Sequence, residues 1–201
     1  FDYNVPKMSK HLWLYEGCTE YNAMIALARG GVYSSSELMG EIGKKIMTSK
    51  FFNDTLPFTE MSLQALGKHE KQYQNVYEKG ALIGMCLDIK LRQLSGGSYG
   101  LIDLLNGLSK KYGAEKPFVD NELFDEIAAM TYPEIREFFA KYVEGSYKLP
   151  YNEFLSIVGV SYGSGTKEKG YSLGSHALNF DMKTKRIFID SDDIDDFGKS
   201  I

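Results

Sequence analysis

Two carboxylates, Glu16 and Glu20, stand four residues apart in W-L-Y-E-G-C-T-E-Y, the stretch from Trp13 to Tyr21. Residues at that spacing share one face of a helix, where like charges repel mildly unless a cation lies between or above them. Zinc is one such cation: a helix-borne glutamate is a good ligand, and a carboxylate one turn further on can orient a ligating histidine. The plainer alternative is a pair of solvated acids on an exposed face. A second stretch, V-Y-E-K-G-A from Val76 to Ala81, places Tyr77 at the entrance of a strongly apolar helical run. With an ordinary pKa of about 10, its hydroxyl stays a neutral donor that can stabilise a developing oxyanion. As a large aromatic it can equally be a packing anchor.

Zinc needs more than one carboxylate. H-E-x-x-H on a helix is the usual supply, and the three histidines, His11, His69 and His176, do not form it. H-E-K-Q-Y at His69 begins the pattern but has Tyr73 where the second histidine belongs, so it reads as a polar loop or helix start. His11, five residues before Glu16 and off its face, reads as a surface or capping residue. His176 stands in a Gly/Ser-rich linker with no partner. The run D-S-D-D-I-D-D from Asp190 has Asp195 at the sixth position, where a calcium loop needs glycine, and reads as a solvated acidic turn. L-S-G-G-S-Y-G at Leu94 follows a helix rather than a strand, which argues against a phosphate cradle. Cys18 and Cys86 lie on apolar helical faces without metal-ligand spacing and read as buried free thiols.

The elements that must position these residues are mostly helices. Trp13, Gly17, Tyr21, Met24 and Ala28 form one stripe of a helix that runs to Arg29 and stops at Gly30 and Gly31. Ser34 and Glu37 have capping-box spacing for a second helix through Leu38, Ile42 and Ile46 to about Ser49. From Phe51 to Gln74 turn residues and weak periodicity define no clear element. The run from Val76 to Leu94 is the strongest helix, too apolar for the surface and closed by Gly96 and Gly97. Amphipathic helices are predicted over 98–113, 120–131 and 132–143, the last with Pro133 in its first turn. Y-N-E-F-L-S-I-V-G-V from Tyr151 ends the helical region. Composition then turns Gly/Ser-rich near Gly159, and two β-prone runs flank D-M-K-T-K-R as a hairpin. The predicted fold is mainly α over 1–158, followed over 159–201 by a linker and a short β-rich segment near the lower size limit for an independent module.

In this order, L-W-L-Y-E-G-C-T-E-Y and Y-E-K-G-A-L-I-G-M-C-L-D-I-K-L-R resemble the gluzincin zinc metallopeptidases, the thermolysin-like class. The resemblance is closer to the glycyl aminopeptidase family. That family carries an F-D-Y-like stretch, L-W-x-x-E-G-x-T-x-Y-Y, a Y-x-K-G helix, L-P-Y-x-E-x-L and a PDZ domain. Here F-D-Y begins at Phe1 and L-P-Y-N-E-F-L at Leu149.

The resemblance implies the C-terminal helical subdomain of a peptidase catalytic domain, then a truncated PDZ segment from about Val160 that would bind an extended peptide by strand addition. It implies Glu16 as a zinc ligand, Tyr77 as the donor to the tetrahedral intermediate and Glu20 as the carboxylate that orients a ligand. The implied activity is a zinc-dependent aminopeptidase, cleaving N-terminal peptide bonds after small residues such as Gly or Ala. The family's H-E-x-x-H, source of two histidine ligands and the general-base glutamate, is not among these 201 residues. On this reading the chain is a fragment, expected to bind no zinc tightly and to hydrolyse nothing by itself. Cys18 stands where the family has a larger apolar residue, which implies altered local packing.

Composition narrows the rivals. At 43% hydrophobic and 25% charged the chain reads as a folded domain. A net charge of -4 without a basic run argues against a nucleic-acid partner. No apolar stretch approaches membrane-spanning length and the first residues lack a signal-peptide layout, so a soluble chain is expected, with its compartment open. Two non-enzymatic readings remain: a helical plus PDZ-like interaction module, and a helical scaffold with a coincidental E-G helix. The scaffold reading puts Glu16 and Tyr77 far apart. The peptidase reading brings them together on one open concavity.

Overall fold

The most apolar run of the sequence becomes α4, Asn75–Leu94, in a computed structural model that describes residues 7–163, 178–181 and 186–189. Every residue of α4 from Lys79 to Ile89 is buried. A helix apolar on all sides must be enclosed on all sides. A π-helical turn, Trp13–Gly17, pack against α4 together with α1, Cys18–Arg29, and α2, Ser35–Ser49; α5, Leu101–Lys111, α7, Glu134–Tyr142, and α8, Tyr151–Ile157, contact it as well. The fold is therefore mainly α, with α6, Leu123–Met130, lying against α7.

Local signals are realised where the sequence carries them. Trp13, Gly17, Tyr21 and Met24 are buried along the predicted stripe. The Ser34 hydroxyl accepts from the Glu37 amide while the Glu37 carboxylate accepts from the Ser34 amide at 2.8 Å, the reciprocal capping box that starts α2. After α4, Gly97 takes a φ of 90° and its amide donates to the Arg92 carbonyl at 2.7 Å, closing the helix through a left-handed conformation that glycine adopts without strain. Pro133 precedes α7 as its cap, one place outside the predicted first turn. The unclear stretch holds α3, Phe58–Leu63, and a single 3-10 turn, Glu70–Gln72. Six residues are too few to display helical periodicity, and α3 is held instead by its buried Phe58 and Met61.

Two buried polar residues tie these elements together. Asp88 of α4 accepts from the Tyr21 hydroxyl at 2.9 Å, from the Leu101 amide at 2.7 Å and from Arg92 at 3.2 Å, so one carboxylate joins α1, α4 and the start of α5 with its oxygens satisfied. His11 corrects the expectation of a surface or capping residue: it has no exposed surface. Its ring packs edge-on against Phe118, Phe124 and Trp13. The Trp13 indole N–H donates to His11 Nδ1 at 3.2 Å, which makes Nδ1 an acceptor and leaves Nε2 to donate to the Asp120 carbonyl at 2.7 Å. Both contacts fit only the neutral ring.

Burial lowers the His11 pKa from its ordinary value of 6.5. The folded chain thus keeps His11 neutral where the unfolded chain protonates it. This contribution to stability is whole above pH 6.5 and is lost as pH falls below it. Urea midpoints measured from pH 7.5 to 5.5 should fall for the wild type and fall less steeply for His11→Gln, about pH values chosen to bracket that window.

The chain divides into two compact units, residues 1–162 and 163–201. In the second, β1, Leu178–Asp181, and β2, Arg186–Ile189, pair antiparallel with Leu178 opposite Ile189 and Asp181 opposite Arg186, the hairpin expected around D-M-K-T-K-R. A hairpin does not by itself define a PDZ domain. The F-D-Y stretch, His176, most of the linker and the aspartate run from Asp190 lie outside the described residues. No helix among the described residues is long and apolar enough to cross a membrane.

Candidate functional site

Each of the two sequence motifs carries a glycine, and the glycines meet. A Cβ built on Gly17 would lie 2.4 Å from the Gly80 carbonyl carbon, and one on Gly80 would lie 3.0 Å from the Gly17 Cα. The W-x-x-E-G turn and the Y-E-K-G turn therefore cross backbone to backbone, closer than any side chain permits. Below the crossing, Gly84 gives room to Cys18, whose Cα and Sγ lie 3.5 Å from where a Gly84 Cβ would stand. Cys18 and Cys86 are free and fully buried, and burial pushes both thiols well above their ordinary range, so neither is an available nucleophile.

The expected helix from Trp13 begins with wider winding than an α-helix. The Cys18 amide donates to the Trp13 carbonyl, a π turn, and single turns of this kind are frequent at functional sites. Carbonyls loosened by the wider turn find a partner in the Thr19 hydroxyl, which donates to Tyr15 and, at 2.9 Å, to Glu16. Trp13 anchors the turn, buried against Phe124 and Phe139.

Glu16, half-buried on this turn, faces the first turn of α4. The Glu16 carboxylate and Tyr73 both act on the Tyr77 hydroxyl. Tyr73 is one helical turn back, its ring edge-on to that of Tyr77 at 6.0 Å. The hydrogen bond with Tyr73, then burial, then the charge of Glu16 raise the Tyr77 pKa well above its ordinary value, so the phenol is a neutral donor at any physiological pH. The scaffold reading, with Glu16 and Tyr77 far apart, does not describe this chain. A groove of about 1050 Å³ opens beside Tyr15, lined also by Leu14, Leu63, Tyr112 and Phe118; Glu16 and Tyr77 are not among its lining residues.

Glu20 has its own cation. Lys45 Nζ sits 2.8 Å from Glu20, 3.6 Å from Glu78 and 3.4 Å from the Tyr77 carbonyl oxygen. Sequence reasoning missed Lys45 and Glu78, although one signal was present. Lys45 falls on the buried stripe of α2 with Ile42, Ile46 and Ser49, where a lysine needs a partner. Lys79 of the same Y-E-K-G motif points elsewhere and clasps Asp54 at 3.2 Å. His69 pairs with Glu60 at 3.1 Å, just ahead of the 3-10 turn, and takes no part in this site.

Among the described residues no cation pairs with Glu16, in contrast to Glu20. A half-buried carboxylate beside a neutral phenol suits one oxygen ligand of a metal ion, as zinc sites employ. Among the described residues no three His, Cys, Asp or Glu side chains gather into a set that could hold a metal ion alone.

Residues 1–83 match the family model of the M61 glycyl aminopeptidases, a match that supports a peptidase in general. The matched stretch contains the π turn, α1 to α3 and the start of α4, and so both motifs. No curated protein and no solved structure matches the chain.

Proposed function

We propose that this chain forms one wall of the active site of a zinc-dependent aminopeptidase, with Glu16 as a metal ligand and Tyr77 as the oxyanion donor. The observation that carries this reading is the backbone crossing at Gly17 and Gly80 of the segments that hold Glu16 and Tyr77, with the Glu16 charge acting on the Tyr77 hydroxyl. Two histidine ligands and a general-base glutamate would come from an H-E-x-x-H segment ahead of Phe1, so the chain alone would neither hold zinc tightly nor hydrolyse peptides. Zinc, when bound, supplies Lewis-acid polarisation of a carbonyl and a nucleophilic water near neutral pH.

The chain's own residues contribute placement and a proton donor. Glu16 brings a negative charge fixed by the Trp13-anchored turn. Tyr77 keeps its proton because its neighbours disfavour the phenolate, and it donates a hydrogen bond as the peptide carbonyl oxygen becomes an oxyanion. Glu20 would orient a ligating histidine only while shared with Lys45. A preference for small N-terminal residues such as Gly or Ala belongs to the same reading and rests on the family resemblance. The antiparallel hairpin is compatible with the first strands of a PDZ-like module that takes up an extended peptide.

Tyr77→Phe in the complete protein tests the assignment. Turnover should drop by about 10²–10³-fold, the usual cost of one oxyanion donor, while zinc per chain is unchanged. Unchanged turnover would remove Tyr77 from the mechanism.

A further inference from the structure

We propose, resting on the peptidase reading, that Lys45 is a positioning residue for this site, setting the place of the Tyr77 hydroxyl relative to Glu16. Lys45 is 9% exposed, and a cation so far from water needs partners. All three of its partners belong to the two motif segments. Glu20 is one turn beyond Glu16, Glu78 is the neighbour of Tyr77, and the third is the carbonyl of Tyr77 itself. One ammonium on α2 therefore ties α1 to the first turn of α4 where the two reacting groups face one another.

Stability alone does not account for a lysine here. The N-terminal turn of a helix disfavours a cation through its dipole, and replacing all members of a buried ion pair together by apolar side chains is often neutral or stabilising. Ile42 and Ile46 on the same stripe show that an apolar residue suits this face of α2. What an apolar residue cannot do is hold a carbonyl and two carboxylates from two helices at fixed separation. The Tyr77 hydroxyl lies at the far end of a long, rigid side chain, so a small rotation of the first turn of α4 displaces it substantially. A shift of about 1 Å at a reacting group can cost about 100-fold in rate.

The test uses the complete protein as wild type, Lys45→Met, Lys45→Arg, Tyr77→Phe and the Lys45→Met/Tyr77→Phe double variant, assayed on a glycyl or alanyl substrate. Lys45→Met should lower kcat by about 10-fold or more with KM and zinc per chain unchanged, and Lys45→Arg should keep most of the activity. In the Tyr77→Phe background Lys45→Met should add little further loss, because Lys45 acts through Tyr77. In zinc-free protein labelled with 13C at tyrosine Cζ, the Tyr77 signal, identified by its loss in Tyr77→Phe, should move in Lys45→Met and return in Lys45→Arg. Should Lys45→Met not fold, Glu78→Gln, which withdraws one charge from the same ammonium, carries both readouts. Wild-type kcat with an unmoved Tyr77 signal, or an equal loss in both backgrounds, overturns the proposal. A wild-type protein that neither holds zinc nor hydrolyses substrate sinks the peptidase reading instead, and the tyrosine signal then still decides whether Lys45 positions Tyr77.

Discussion

Glu16→Ala in the complete protein is expected to lose zinc and turnover together. The nearest carboxylate in sequence cannot replace it, because Glu20 is committed to Lys45 at 2.8 Å. Glu16 has no such partner among the described residues and stands on a turn fixed by Trp13 on one side and the Gly17 crossing on the other. Zinc affinity should fall by more than the roughly 10–100-fold that follows loss of a group that merely orients a ligand. Glu20→Gln, by contrast, should stay within that range. Metal analysis after dialysis, alongside hydrolysis of a glycyl or alanyl substrate, reads both effects. If Glu16→Ala keeps its zinc and its turnover, Glu16 is a solvated acid beside a packing tyrosine. A complete protein without zinc in any of these forms would instead favour the helical interaction module.

Gly17→Ala is expected to cost about 3 kcal/mol or more, the upper end of what overpacking costs. Its added methyl would stand 2.4 Å from a backbone carbon and 2.5 Å from the carbonyl oxygen of Gly80, groups held in the hydrogen-bonded ladder of α4 that cannot swing aside as a side chain would. The two helices would have to part, and Glu16 would move away from Tyr77 as they did. Urea unfolding should therefore show a lower midpoint, with turnover of the complete protein reduced as well. Gly80→Ala should be milder, its contacts being 3.0 Å to the Gly17 Cα and 3.3 Å to the Phe58 ring. Gly40→Ala in α2, with nothing within 4 Å of the added carbon, should be neutral or stabilising by up to about 1 kcal/mol. Equal midpoints for Gly17→Ala and Gly40→Ala would mean that the close crossing does not hold the site together.

The sequence by itself determined the parts that depend on near neighbours. The apolar stripe from Trp13, the Ser34 and Glu37 cap, the glycine stop after α4 and the presence of the hairpin all follow from spacing within a few residues. Glu16 and Tyr77 likewise stand in motifs that are legible as letters. Other features were settled by packing between distant segments, which no local pattern encodes. His11 is buried because Asp120, 109 residues later, closes over it, and Lys45 is buried because α1 and α4 bring Glu20 and Glu78 to it. The motif glycines were legible as letters, yet only the tertiary structure decided that Gly17 and Gly80 face each other, since two backbones can touch only where both side chains are missing at the same crossing.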